Sequence, residues 1–246
     1  MVLPTNDINR PSEDSFTNNE LRIPTVFDNS DKSTDVETKK SFLLRHWSAQ
    51  YKAMCIDFYL KRLKCQIIGS EFRYGIAQLI TDLIIVTPKN TISIEIKTEQ
   101  DDLRRILRQA TEASKVFNQV IIFISSKHEM EAINILPHNI GITTVLDNCC
   151  KIARIPQRNI PLPSELLASI PASFLRSYFN ITGCMDSDEL RQHILEHNAS
   201  EMNTCFRKYL VRKYLKNYSQ FLSDKGSITH MEDIPILTMK TEIEFK

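Results

Sequence analysis

Residues 81–109 read TDLIIVTPKNTISIEIKTEQDDLRRILRQ. A run that needed only a core would not place Asp82 in one apolar segment and Glu95 and Lys97 in the next. Leu79–Val86 is a bounded apolar stretch and predicts a buried strand. TPKNT follows, with Pro88 and Asn90 supplying a turn. Ile92–Lys97 then alternates, with Ile92, Ile94 and Ile96 on one side and Ser93, Glu95 and Lys97 on the other. From Asp101 to Phe117 the apolar residues Leu103, Ile106, Leu107, Ala110 and Phe117 take helical spacing. Glu99, Asp101 and Asp102 gather at the expected N-terminus of that helix, where its dipole favours acids.

Working outward, VETKKSFLLRHWSAQYKAMCIDFYLKRLK carries Phe42, Trp47, Tyr51, Met54, Phe58 and Leu63 between charges. It predicts a long amphipathic helix with room for one break. Residues 1–35 are rich in Asn, Asp, Ser, Thr and Pro without periodicity, and are expected to form a mobile acidic tail. QVIIFIS (119–125) is a further buried strand, 128–136 a short helix, and 141–147 and 150–155 two more strands. After Pro156 the pattern turns helical. Ser164 is the expected cap of one helix and Asp186, with Glu189 at the reciprocal position, of another. Residues 200–222 form a third helix, and the last two dozen residues carry no readable pattern. A hairpin followed by a crossover helix predicts a mixed sheet flanked by helices rather than a doubly wound parallel one. The divisions are a tail (1–35), an α/β core (36–155) and a helical C-terminal region (156–246).

Composition removes several function classes. No apolar stretch approaches the ~20 residues of a membrane span. The polar start (MVLPTNDINRPSEDS) lacks a basic-then-apolar leader, which argues for a cytoplasmic protein. The six cysteines form no CxxC pair, so neither a zinc knuckle nor a disulfide framework is suggested. With only five glycines and no Gly-rich phosphate loop, a nucleotide cofactor is not expected. The net charge of +1 confines any nucleic-acid surface to a local patch.

Glu95 and Lys97 lie two apart on a strand and share a face. A hairpin near Pro88–Asn90 brings Asp82 within reach of them. Two carboxylates in a partly buried place do not both ionise cheaply without a cation between them. Hard oxygen donors favour Mg²⁺ or Mn²⁺. Such an ion acidifies a water and stabilises charge building on a phosphate, and Lys97 is suited to orient the water or offset that charge. The bland alternative is a strand-edge acid at Asp82 and a solvated strand face at Glu95 and Lys97.

At these residues the chain resembles the PD-(D/E)XK nuclease superfamily, which includes many restriction endonucleases, resolvases and repair nucleases. The continuation EIKTEQDDLRRILRQ is similar to a largely uncharacterised bacterial and phage family of that superfamily, whose motif is approximately EIKSxxDxLxRLxRQ followed by VFDxV. Asp102, Leu103, Arg105, Leu107, Arg108 and Gln109 occupy the motif positions, and Val116 to Val120 the following ones. The likeness covers about residues 66–155, and the helical part more loosely. It implies a restriction-endonuclease-like αβββαβ core with a helical extension. It further implies Asp82 and Glu95 as metal ligands, Lys97 as catalytic lysine, and a Mg²⁺-dependent deoxyribonuclease. Glu71 is the candidate additional acid, and Gln109 matches the start of a QxxxY element that touches the active site or nucleic acid. The chain departs from the pattern at Ala113, where that tyrosine would stand, and at Thr81, where a proline would precede the Asp.

The DNA partner is expected on two basic surfaces. Arg104, Arg105 and Arg108, with Lys115, form one on the crossover helix, opposed by the reading of a solvated face beside Asp101 and Asp102. Residues 205–221 interleave Arg207, Lys208, Arg212 and Lys213 with Phe206, Tyr209, Tyr214, Tyr218 and Phe221. Backbone binding with base stacking is one reading and an aromatic core the other. His193 and His197 have a zinc-compatible spacing but no third ligand, and read as surface residues. The resemblance leaves a homodimer open. The rival expectation is a catalytically inactive nuclease-fold protein of a phage or mobile element that binds DNA or regulates.

Overall fold

The computed structural model describes residues 36–238, with side chains from residue 47 onward. The tail expected over 1–35, Phe42 and residues 239–246 therefore lie outside the described residues or side chains. Helix α1 spans Val36–Leu60 without a break, and six strands follow: β1 Ile67–Tyr74, β2 Leu79–Val86, β3 Thr91–Lys97, β4 Gln119–Ser125, β5 Gly141–Leu146 and β6 Cys149–Arg154. They form one sheet in chain order. β1, β2 and β3 pair antiparallel, β3, β4 and β5 parallel, and β5 and β6 antiparallel. The result is a mixed sheet flanked by helices, as the hairpin-then-crossover pattern predicts.

The parallel step from β3 to β4 needs a crossover, supplied by α2 (Ile106–Ser114). That helix is shorter than the 101–117 expected from periodicity. Asp101 folds back on the loop, accepting from the Thr98 amide and hydroxyl, both at 2.7 Å, and Asp102 accepts from the Arg104 amide at 2.6 Å. The acids cap a turn before the helix instead of occupying its first turn. Asn118 holds the other end of the crossover by accepting from the Thr91 amide and hydroxyl.

β1 is absent from the residue-by-residue reading, although the resemblance implies three strands before the crossover. Its sequence, IIGSEFRY, alternates poorly because it changes face partway. The β1–β2 ladder skips Glu71 and Asp82 while keeping its register on both sides. Glu71 there adopts φ 55°, a conformation uncommon outside glycine. Ser70 lies on the α1 side, within 3.3 Å of Lys52, whereas Phe72 and Tyr74 point to the other side against Phe117.

Beyond β6 come α3's successors in the chain. α3 itself is Glu129–Ile135, followed by α4 Pro163–Ala168, α5 Ala172–Phe179, α6 Ser187–His197 and α7 Met202–Asp224. α6 carries the expected capping box of Asp186 and Glu189. α4 departs from expectation: Leu162 stands at its N-cap and Pro163 at its first position, so Ser164 is already inside the helix. α5 went unread because only two and a half turns separate Pro171 from the left-handed Asn180. α7 packs on β1, where the Tyr214 ring lies so close over Gly69 that a Cβ there would fall 2.6 Å from it. The final segment, unreadable by pattern, forms a short 3-10 helix, Met231–Leu237, that buries Ile234 and Leu237. Asp57 of α1 anchors it by accepting from the Thr229 amide and hydroxyl at 2.9 and 2.7 Å.

All six cysteines are free. Among the described residues, no helix is long and apolar enough to cross a membrane.

Candidate active site

The β2–β3 ladder ends at Leu83 opposite Ile94, and the strands diverge beyond it. One further step of the same register would set Asp82 opposite Glu95. Asp82 instead fills the gap: its Oδ2 accepts the Ile96 amide at 2.8 Å, replacing a lost backbone acceptor. Thr81 closes the same gap by donating to the Ile94 carbonyl at 3.0 Å and meeting the Ser93 hydroxyl at 2.8 Å. The kink at Glu71 and Asp82 thus aims a carboxylate into a fork between strands. Irregularities of this kind are enriched beside active sites, where they redirect a side chain.

Glu95 and Lys97 project from β3 on one face, and the Lys97 Nζ donates to Glu95 Oε1 at 2.9 Å. β3 is buried along its whole length, with Glu95 at 9% and Lys97 at 8% exposure. The solvated strand face that was the bland alternative is therefore ruled out by burial. Gln109 reaches over from α2 and its Nε2 also donates to Glu95 Oε1. Its own Oε1 is buried without a partner.

Electrostatics link the acids. Burial raises the Glu95 pKa to about 7, and the Asp82 charge adds to the rise, while Lys97 and Gln109 oppose it. Burial likewise raises Asp82, opposed first by Lys52, then by the Ile96 amide and Lys97. Asp101 pushes it further up. Each carboxylate is thus short of positive charge despite two nearby lysines. A divalent cation suits that deficit. Hard oxygen donors match Mg²⁺ or Mn²⁺, and a two-carboxylate site leaves the remaining coordination positions to water. Among the described residues no group of three or more His, Cys, Asp or Glu that could hold a metal ion converges.

Two residues of the fork escaped the sequence reading. Lys52, on α1, is buried, lies 3.3 Å from Ser70 Oγ and 3.8 Å from Glu71 Oε1, and is the leading counter-charge for Asp82. The signal was available: Lys52 shares a helical stripe with the buried Cys55, Ile56 and Tyr59. Tyr74 is the second. Its buried phenol donates to the Gln109 carbonyl at 3.5 Å, and the Glu95 and Asp82 charges add to the burial that raises its pKa. It puts a phenol near Glu95, the group missing at Ala113. Glu71, the candidate extra acid, lies at the kink, is exposed, and stands 3.8 Å from the Lys52 ammonium; it forms no three-acid group with Asp82 and Glu95.

The basic residues divide. Arg104, Arg105 and Arg108 are exposed at the start of the crossover, with Arg104 held by Asp102. Lys115 is bound to Glu112 at 2.8 Å. On α7 the aromatic reading requires correction: Phe206, Tyr209, Tyr214, Tyr218 and Phe221 are all buried and cannot stack on bases. Lys213 is drawn in with them, its ammonium 5.4 Å from the Phe72 ring centre and 5.7 Å from those of Tyr209 and Tyr214. Burial lowers its pKa. Lys208 is exposed, Arg212 is exposed, and Arg207 is half-exposed. His193 and His197 stack on each other at 4.4 Å, and His197 Nδ1 lies 2.8 Å from the His193 carbonyl.

Comparison with known proteins gives two likenesses. The SPO1766 protein of unknown function from Silicibacter pomeroyi is 16% identical, with 48% of this chain and 84% of that chain covered at a TM-score of 0.33. The comparison with curated proteins finds no match. A family model described as bacteriophage P4 protein cII matches residues 45–238, from the middle of α1 to the end of the last 3-10 helix. That match takes in the whole sheet, the fork and α7, and the chain belongs to the bacteriophage P4 cII family.

Proposed function

We propose that the fork is the active site of a divalent-metal-dependent deoxyribonuclease built on a restriction-endonuclease-like core. The observation that carries this reading is the delivery of Asp82 into the gap beside Glu95 and Lys97 on a fully buried strand. Burying such a set costs free energy that an ordinary core would avoid. Buried carboxylates perturbed beside a specific charge partner are candidates for a functional site.

The chain's own residues divide the work. Asp82 and Glu95 would hold Mg²⁺ or Mn²⁺, which supplies Lewis acidity toward the phosphate when bound. Ile96 N–H fixes the Asp82 carboxylate, and the Gln109 amide and Lys97 ammonium fix that of Glu95, so little rearrangement is needed at the moment of reaction. Lys97 has donors beyond the one given to Glu95. They can orient a water toward the phosphorus or offset charge on the phosphoryl oxygens. Lys52 opposes the rise in the Asp82 pKa and so favours its carboxylate form. Arg104, Arg105 and Arg108 lie just beyond the strand that carries Glu95 and Lys97, where DNA phosphates would pass.

The test is a cleavage panel of linear, circular, branched and single-stranded DNA with Mg²⁺ or Mn²⁺. The reading expects metal-dependent cutting of at least one form, lost in Glu95→Gln and Lys97→Ala. Intact DNA throughout would end it. One observation favours a second reading, a fold of this kind that binds DNA or a partner without cutting. Each acid already has a lysine beside it without any ion, Lys97 donating to Glu95 at 2.9 Å and Lys52 countering the rise at Asp82. Such a protein would need no divalent ion.

A further inference from the structure

A cleft of ≈ 590 Å³ opens between α5 and α7, lined by none of the residues of the fork. Its size suits a small organic group rather than an ion. One wall is aromatic. Phe174 and Tyr178 stand one turn apart on α5 with ring centres 6.0 Å apart and planes within 18° of parallel. Neither belongs to the fully buried core, and Phe174 is braced from behind by Tyr209, edge-on at 5.2 Å.

The other wall is cationic. Lys208 and Arg212, one turn apart on α7, bring their charges to 5.1 Å from the Tyr178 ring and 5.6 Å from the Phe174 ring. Ser177, Asn180 and Glu201 complete the rim with a hydroxyl, an amide and a carboxylate. Rings beside two cations, with both donors and acceptors at the edge, match one chemical class well. A nucleotide offers a flat base for the rings, a phosphate for the cations, and base-edge groups for the rim. An acidic peptide would use the cations and waste the rings.

We infer that the cleft seats one nucleotide of a single strand, its base against Tyr178 and Phe174 and its phosphate on Lys208 and Arg212. A duplex keeps its base faces stacked and presents only phosphates here. Both cations sit on long side chains and can move from ring face to phosphate while α7 stays in place. The inference goes beyond the hydrolytic reading, since the cleft uses neither Asp82, Glu95 nor a divalent ion.

The test is fluorescence anisotropy on the full chain in EDTA, with labelled dT12, an abasic 12-mer of equal charge and a 12-base-pair duplex. Wild type is expected to bind dT12 at least fivefold more tightly than the abasic strand, through stacking of a base on the rings. Tyr178→Leu should erase that preference and Tyr178→Phe should keep it, with circular dichroism melts checking each fold. Lys208→Gln with Arg212→Gln should weaken both strands and flatten the salt dependence by about 0.7 in log–log slope, the share of one phosphate. Every arm is read in EDTA without cutting, so the cleft stands or falls separately from hydrolysis at the fork. Equal affinity of wild type for dT12 and the abasic strand, or an undiminished preference in Tyr178→Leu, would overturn it.

Discussion

The fork and helix α7 both present charged residues among apolar ones, yet they put them to opposite uses. In the fork a kink and an unzipped ladder drive Asp82, Glu95 and Lys97 together in a buried place, and both acids are left short of positive charge. In α7 the helix turns its aromatics into the core and lets the cations lie along ring faces or at the surface. Charges on a buried strand have no outlet except one another, so their presence carries information. Charges on an amphipathic helix have a solvent side, and interleaved aromatics at that spacing are the ordinary composition of a core helix.

The largest contrast should appear in catalysis. Lys97→Ala is expected to lower DNA cleavage by about 10²–10⁴, while Lys213→Met, in the ring cluster, leaves it unchanged. Glu95→Gln removes the charge without vacating the space and should match Lys97→Ala. A steady-state rate comparison decides this, with a single melting transition required of each variant. Equal losses in Lys97→Ala and Lys213→Met would erase the distinction between the regions.

In stability the order reverses. Phe206→Ala empties a fully buried site touching Phe72 and Phe117, and should cost about 3–5 kcal/mol. That corresponds to a fall of roughly 10 °C in thermal melting. Glu95→Gln should hold or raise the melting temperature of the metal-free protein at neutral pH.

Proton linkage sharpens the fork further. Folding raises Glu95 from the ordinary 4.5 to about 7, so the folded state binds more protons than the unfolded one between those values. Stability of the metal-free protein should therefore fall as pH rises from about 4.5 to about 7 and level off above, by about 3 kcal/mol in all. Asp82, also raised, adds a fall in the same direction. Urea unfolding at stepped pH should show this slope in wild type and a smaller one in Glu95→Gln. An unchanged slope in that variant would place the titration elsewhere.

Much of the fold was legible because strands and hairpin announce themselves locally. Leu79–Val86 matches β2 to the residue, and the Asp186 box caps α6 as read. What was missed depends on tertiary context. β1 changes face at Glu71, so no period of two runs through it. α5 is too short for a helical period to establish itself, and Ser164 lost its cap role to Pro163. In the site, Asp82, Glu95, Lys97 and Gln109 stood out because polar residues interrupt apolar strands or extend a recognisable motif. Lys52 did not, since one lysine in a lysine-rich helix attracts no notice until the helix is docked. The subtlest effect follows from it. Lys52→Met should raise the Asp82 pKa further and move the acidic limb of the cleavage pH profile upward, with kcat at high pH little changed. A profile that keeps its limb would make Lys52 a packing residue.

Titration calorimetry of Mn²⁺ into the metal-free chain addresses the fork most directly. Wild type should take up one ion with release of protons near pH 7, and Asp82→Asn and Glu95→Gln should give no binding heat. Absent heat in wild type, or the same isotherm in all three proteins, would contradict a shared cation between these two carboxylates.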